Sequence, residues 1–447
     1  MYKRYKKYKP SGVEWIGEIP DGWDIHKLKN NLSGKLKYGA NEPSGNSNLE
    51  HPRYIRITDF GNDGILKDDT FQSLPPDLAE EYLLTEGDVL FARSGATVGK
   101  TFLFKNFSGK ACFAGYLIKA TVDKDKLISN FLYYFTKSGF YEEWKNSVFI
   151  QATIQNIGAD KYALLPIFTP PITEQTTIAH FLDQKTALID RIISNHRKQI
   201  ELLKEARKAI INQAVTKGIN KNAKLKPSGI EWLGDIPEHW EVVKLKLLTN
   251  RIGDGLHSTP EYVDSSDYYF INGNNLKDGK IIINDSAKPV SQIEYRKHYI
   301  ELDNRTILLS INGTIGSVSY YKGETVILGK SAAYIKCNDL VAVHFMFYII
   351  QSTVILNYFL NEVTGATIFN LSLNSIRNTP IVLPPIEEQQ SVVTYIEEKT
   401  AKINTIITKY EKQISLLEEY RTSLISKAVT GQIDVRGWKP PKTNISE

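Results

Sequence analysis

Two stretches of this chain carry an apolar residue every seven positions, and most of the rest is short apolar runs broken by turns. From Thr173 to Lys217, and again from Glu387 to Thr430, there is no glycine or proline. Within the first, Leu182, Ile189, His196, Leu203 and Ile210 stand seven apart; within the second, Ile396, Ile403, Tyr410, Leu417 and Leu424 do the same. A residue that returns every seven positions stays on one helical face and makes a seam for a second helix. Leu188, Ile193, Ile200 and Ile406 are expected to widen it. A helix of about 45 residues extends ~68 Å at 1.5 Å per residue and cannot bury such a stripe alone. The two helices are therefore expected to pair antiparallel, with His196 a seam residue opposite the Tyr410 position and not a ligand. Gly218 and Gly431 come directly after them, as helix-ending residues should.

The remaining segments, roughly 21–170 and 238–384, are rich in Gly, Asn, Tyr, Ile and Val, with turn signals between the apolar runs. That pattern predicts two strand-rich α+β domains. One helix is expected in each, at 126–146 and at 340–359.

The chain is also written twice. KPSGVEWIGEIPDGWDIHKLK (9–29) returns as KPSGIEWLGDIPEHWEVVKLK (226–246), and PPITEQ (170–175) as PPIEEQ (384–389). YIRITDF (54–60) faces FINGNNL (270–276), and QATIQNI (151–157) faces GATIFNL (365–371). Two copies of a unit of about 215 residues make up almost the whole sequence, the mark of a repeat architecture of long period.

The doubling decides one tempting motif. RSGATVGKT (93–101) ends like a phosphate-binding loop, but only three residues separate Gly95 from Gly99, where a P-loop needs four. In the second copy SINGTIGSVSYY (310–321) takes its place, so Ser317 and Val318 replace Lys100 and Thr101. The residues after the glycines, TFLF in one copy and SVSYY in the other, are rich in β-branched and aromatic side chains. They predict a strand and not the helix that would hold phosphate. The stretch is expected to be a β-hairpin with a glycine turn.

Composition adds limits. With 42% hydrophobic and 23% charged residues over 447 positions, the chain is an ordinary globular one of several domains. Cys112 and Cys337 form no disulfide framework or metal spacing, and point to a reducing compartment. The start, MYKRYKKYKP, has no apolar h-region, and VAVHFMFYII (341–350) is too short to span a bilayer. A cytoplasmic protein without membrane attachment is expected. The net charge of +5 equals the contribution of Lys3, Arg4, Lys6, Lys7 and Lys9; the other 50 basic residues balance 50 acidic ones. A basic tail can touch phosphates, yet charge alone does not decide for nucleic acid.

Taken together, the repeated PSGxEWxGxIPxxW opening (10–23, 227–240), GATIFNLSLNSIRNTPIVLPPIEEQ (365–389) and AVTGQIDVR (428–436) resemble the specificity subunit of type I restriction–modification systems. The first copy repeats the latter two more loosely, as QATIQNIGADKYALLPIFTPPITEQ (151–175) and AVTKG (214–218). The resemblance covers nearly the whole chain. It implies an N-terminal docking segment (1–20), a first target-recognition domain (21–170) and the family's central conserved long helix (171–218). After these come a linker with the repeated docking segment (219–237), a second target-recognition domain (238–384), the distal helix (385–431) and a C-terminal tail (432–447). The implied fold is α+β: two strand-rich domains in pseudo-two-fold arrangement, joined by two long antiparallel coiled-coil helices. Each domain would be similar to the small domain of the Taq adenine methyltransferase and read one half of a bipartite, asymmetric site in double-stranded DNA. Two modification subunits would bind the helices, and restriction subunits would complete the ATP-dependent nuclease. S-adenosylmethionine, ATP and Mg2+ would belong to those partners, with no cofactor in this chain.

The residues agree with a reader and not a catalyst. The Asn-Pro-Pro-Tyr motif of adenine methylation is missing; Asn378-Thr379-Pro380 is the nearest string. Asp183-Gln184-Lys185 and Glu397-Glu398-Lys399 mimic half of a nuclease site, but they lie on the long helices without a Pro-Asp partner and read as surface charge. No catalytic or metal-binding set emerges. Base edges suit Arg on guanine and Asn or Gln on adenine. The candidates are Arg53, Arg56, Arg93, Ser94, Lys100, Gln151 and Gln155 in the first domain, and Arg251, His257, Asn272, Asn274, Asn275, Asn312 and Thr314 in the second. The motive is divergence between copies: Arg56 faces Asn272 and Arg93 faces Ser310. The competing explanation for each is turn chemistry. Trp15, Trp23, Trp232 and Trp240 are read as packing anchors near the helix ends. The rival readings are a coiled-coil scaffold with two globular heads and a reduced nuclease–methyltransferase fusion.

Overall fold

The strand Val89–Ala92 is buried at all four positions, because it lies inside a sheet covered on both faces. Side chains on a strand alternate between faces. Val89 and Phe91 accordingly pack with Phe131, Leu132 and Phe135 on one side, and Leu90 and Ala92 with Ile55, Phe102 and Phe113 on the other. The strand Thr306–Ser310 repeats this: Ile307 and Leu309 meet Phe345 and Ile349, while Leu308 meets Ile271 and Leu328. The computed structural model of the chain describes residues 2–13, 16–43, 45, 47–61, 66–150, 156–364 and 369–440, without the side chains of Ala96 and Ile150.

The chain divides into two units, Met1–His196 with Lys412–Glu447, and Arg197–Glu411. In the first, a four-stranded antiparallel sheet runs in the order Lys37–Tyr38, Leu117–Ala120, Val89–Ala92, Thr101–Leu103. In the second the order is Thr249–Asp254, Ala332–Cys337, Thr306–Ser310, Val318–Tyr320. Each unit adds a parallel pair, Arg53–Ile55 with Ala111–Phe113 and Tyr269–Ile271 with Val326–Leu328. The hairpin expected at 93–101 is present: Val89–Ala92 pairs with Thr101–Leu103 through a turn in which Gly95 and Gly99 have φ of 77° and 82°.

Each helix expected as one piece is two. Ser129–Phe135 and Gly139–Ile150 replace 126–146; Val343–Ile350 and Thr353–Glu362 replace 340–359, the latter pair bent by 63°. One serine makes each break. Ser138 Oγ donates to Phe135 O at 2.6 Å and accepts Tyr141 N–H at 3.3 Å; Ser352 Oγ does the same with Ile349 O (2.6 Å) and Ile355 N–H (3.4 Å). A buried serine can thus end one helix and cap the next. Among the described residues no single helix is long and apolar enough to cross a membrane.

The long helices are Ile172–Lys217 and Ile386–Val429. Gly218 and Gly431 end them at φ 75° and 74°. In the first unit the two run antiparallel, with Arg421 donating to Asp190 at 2.6 Å and Phe181 edge-on to Trp438. In the second, Ala214 and Val215 pack with Val392, Val393 and Ile396. Leu182, Ile189, Ile396 and Leu424 are buried, and His196, Leu203, Ile210, Ile403, Tyr410 and Leu417 half-buried, so the stripe is the covered face. Ile193 and Ile200 are buried with it, but Leu188 and Ile406 are 50% and 41% exposed and do not widen the seam. They lie off the face that a 3.5-residue period keeps inward.

The basic start is not a free tail. Lys3 bridges Asp434, Tyr5 is buried, and Tyr8–Pro10 pairs with Glu18–Pro20.

Candidate nucleic-acid interface

Four motif residues turn out to be structural. Gln175, from PPITEQ, is 1% exposed: its amide donates to Lys126 O (3.0 Å) and Pro170 O (2.8 Å) and accepts Ile128 N–H (2.9 Å). Gln389, from PPIEEQ, repeats every contact with Leu340 O, Pro384 O and Ala342 N–H. Trp23 and Trp240 are 1% and 0% exposed; they stand beside Gly431 and Gly218, and Trp240 donates its indole N–H to Glu388 at 3.0 Å. Trp232 is 40% exposed and stacks on Tyr358, and Trp15 lies outside the described residues. Asp183 of the nuclease-like string accepts from Tyr134 at 2.7 Å and Asn130 at 3.2 Å, tying a short helix to the long one. Burial pushes the Cys112 and Cys337 thiols up to about 12. Among the described residues no three His, Cys, Asp or Glu side chains gather as a metal site.

The base-reading candidates fall into three sets. Arg53 and Asn275 are buried, and Arg56 and Asn272 are half-buried and bound to protein partners. Arg53 is 5% exposed, donates to Lys67 O and packs over Phe71 and Phe107. Arg56 binds Asp59 at 2.8 Å and Thr70 O at 3.0 Å. Asn275 is fully buried, donating to Ile282 O and Ser286 Oγ, and Asn272 accepts from Ser331 Oγ at 2.9 Å. The pairs Arg56–Asp59 and Asn272–Asn275 form the same capping box at the same place. Their divergence is turn chemistry, and side chains so engaged are not free to meet a base edge. The second set is at the surface: Lys100, Arg251, His257, Asn274 and Thr314 are exposed and Ser94 and Asn312 half-exposed. Arg251 lies 5.5 Å over Tyr334, and His257 contacts Asp254 at 2.8 Å. Gln151 and Gln155 lie outside the described residues.

Arg93 stands apart. Its N–H donates to Tyr116 O at 3.0 Å and its carbonyl accepts Ile157 N–H at 2.9 Å. In the second unit, Ile311 makes the same two bonds, with Ser331 O and Leu371 N–H. Arg93 is therefore matched by Ile311, 3% exposed, and not by Ser310. The ungapped comparison slips because the first turn is one residue longer: Gly99 N–H closes on Ala92 O, Gly316 N–H on Ser310 O. Strand register likewise matches Tyr38 with Asp254, opposite Ile118 and Ala333. One sheet corner thus carries Tyr38, Arg93 and Tyr116 in one unit and Asp254, Ile311 and Ser331 in the other. No single-sequence signal links Tyr38 to Arg93; the sheet order brings them together.

Each unit repeats one α+β fold and carries a differently furnished corner at the same place in its sheet. The model of the type I restriction modification DNA specificity domain matches residues 24–202 and again 237–416, and the chain belongs to that family. It is 25% identical over 372 residues to the type I restriction enzyme MjaVIII specificity subunit of Methanocaldococcus jannaschii, covering 80% of this chain and 81% of the relative. It is 22% identical over 446 residues to the EcoKI specificity subunit of Escherichia coli, covering 96% and 93%. A solved chain from work on complex assembly and conformational transition of the type I R-M system shares the fold, with TM-score 0.68, 16% identity and 93% and 99% coverage.

Proposed function

We propose that the chain is the DNA-reading subunit of a type I restriction–modification complex. Each unit reads one half of a bipartite, asymmetric site, and the paired helices set the spacing. Two modification subunits that carry S-adenosylmethionine methylate adenine, and restriction subunits cleave with ATP and Mg2+. The chain itself is not an enzyme. The observation that carries this reading is the doubling with divergence: the same sheet twice, with different side chains at the same corner. Base contacts specify sequence, and two readers of different half-sites need different ones.

The test is a domain exchange. Replacing residues 238–384 with the matching segment of a relative should change one half of the motif methylated by the complex and leave the other half and the spacing intact. A change in both halves overturns the reading. The pure chain incubated with labelled S-adenosylmethionine and DNA should transfer no methyl group.

A further inference from the structure

Arginines in the first unit fall into two conditions. Arg53 and Arg56 have acceptors inside the protein. Arg93, among the described residues, has no hydrogen bond or ion pair on its guanidinium; its Nε, like that of Arg53, is buried without a partner, but Arg53 still donates through a terminal nitrogen. Its plane is nonetheless located: the guanidinium carbon lies 4.9 Å over the Tyr38 ring. Tyr38 is fixed in turn, its hydroxyl accepting Ala159 N–H at 2.9 Å, and the Arg93 backbone is pinned on both sides. The terminal nitrogens of Arg93 meet no protein acceptor among the described residues and stay available to a ligand, and stacking removes much of the entropy that binding would otherwise cost.

The surroundings say what kind of ligand. Tyr38, under the guanidinium, and Tyr116, whose carbonyl holds the Arg93 N–H, are 43% and 67% exposed, large aromatics left open at this corner. In the segment leading to Tyr38, Lys27, Lys29, Lys35 and Lys37 are all exposed and no acidic residue occurs from Ile25 to Asn41, while Asp160 is the acid that lines the same depression as Lys29 and Lys35. Four exposed lysines in the segment that supplies Tyr38, with one planar fork stacked on that ring, suit a polyanion whose phosphates are held by point charges while an edge is read by the fork. The fork of arginine matches the O6 and N7 acceptors of guanine. Resting on the proposed DNA-reading function, we propose that Arg93 is the guanine-reading residue of the first unit, oriented by Tyr38, and that the second unit reads no base from this position because Ile311 occupies it.

The experiment uses the full chain with its modification subunits and a duplex carrying the motif found by sequencing the host's methylated adenines. Each guanine of the half-site assigned to the first unit is replaced in turn by 7-deazaguanine, which lacks N7. The wild-type complex should lose roughly tenfold to a hundredfold in affinity at one guanine. Arg93→Met and Arg93→Lys should weaken binding to the unmodified duplex and become indifferent to that replacement, with the other half-site and the melting temperature unchanged. A half-site without a G·C pair overturns the assignment. So does a variant that loses affinity equally for every sequence with a shallower salt dependence, the behaviour of a phosphate contact. Failure of the wild-type complex to prefer the motif over random duplex overturns the DNA-reading function itself, a different result from either.

Discussion

The backbone N–H of Ala342 donates to Gln389 Oε1 at 2.7 Å, joining the helical layer of the second unit to the first turn of a long helix. Gln175 holds Ile128 in the same way in the first unit. Each glutamine also ties its own Pro-Pro corner, so one buried amide fixes the angle at which the helix leaves its domain. Gln389→Ala leaves a buried carbonyl pair and an N–H without partners, at about 1–3 kcal/mol for each unsatisfied group. A loss of at least ~3 kcal/mol, the low end for three such groups, is expected in urea denaturation of the full chain, and Gln175→Ala should match it. A change within about 0.5 kcal/mol, as for an ordinary surface position, would show that the clamp does not hold the helix.

The two helix-ending glycines should differ in sensitivity. Both have φ near the left-handed region, 75° at Gly218 and 74° at Gly431, where alanine costs ~1–2 kcal/mol. At Gly218 an added Cβ would stand 3.2 Å from Trp240, which a small shift of the ring relieves. At Gly431 it would stand 2.4 Å from Pro20, a rigid ring in a paired strand. Gly431→Ala should therefore lower the melting temperature more than Gly218→Ala. The opposite order would refute the packing account.

Lys137 gives the first unit a pH signature. Its ammonium donates to Thr101 O at 2.7 Å and lies 4.8 Å from the Tyr133 ring. Desolvation, then Lys100 and Arg421, lower its pKa to about 8, against the opposing pull of Glu142. An unfolded lysine titrates near ~10.4, so between about pH 8 and that value the unfolded chain holds a proton the folded one has given up. Stability from this group rises with pH across the window, and below it the full penalty is present. Wild type should gain on Lys137→Met as pH goes from 7.5 to 10, measured by urea midpoints. Parallel profiles would mean that the ammonium is not desolvated.

The helices were legible in the sequence because a seven-residue stripe is local: Leu182 to Ile210 reads as one face whatever it packs against. The glycine hairpin was legible because its strands adjoin in the chain. The serine breaks were not. Ser138 and Ser352 stand inside apolar, helix-compatible runs, and only their bonds to the preceding turn show that the helix stops. The sheet corner at Arg93 was legible in part. Arg93 was identified by residue type, but its matching residue was misplaced by a turn one residue longer, and Tyr38 enters from a strand far away in sequence. The burial of Arg53 was not legible, because a cation packed over Phe71 and Phe107 leaves no periodic trace.

If the paired helices set the gap between half-sites, their length should be measurable in base pairs. The boundary between the two units falls at His196 in one helix and at Glu411 in the other. Inserting seven residues after Asn195 and seven after Tyr410 keeps each stripe in phase and lengthens both helices by ~10 Å at 1.5 Å per residue. DNA rises ~3.4 Å per pair, since a turn of ~10.5 pairs spans ~35 Å, so the spacer should grow by up to ~3 pairs. Each added pair also rotates one half-site by ~34°, while a heptad turns a helix by about 700°, or roughly 20° short of two full turns at 3.6 residues per turn. The two rotations do not cancel, so the lengthened complex should bind more weakly than wild type even on its best spacer. The bases of each half should stay the same. Sequencing the adenines methylated by the double-insertion complex reads both quantities at once. An unchanged spacing in an active complex would take the ruler away from the helices and give it to the loops of the units.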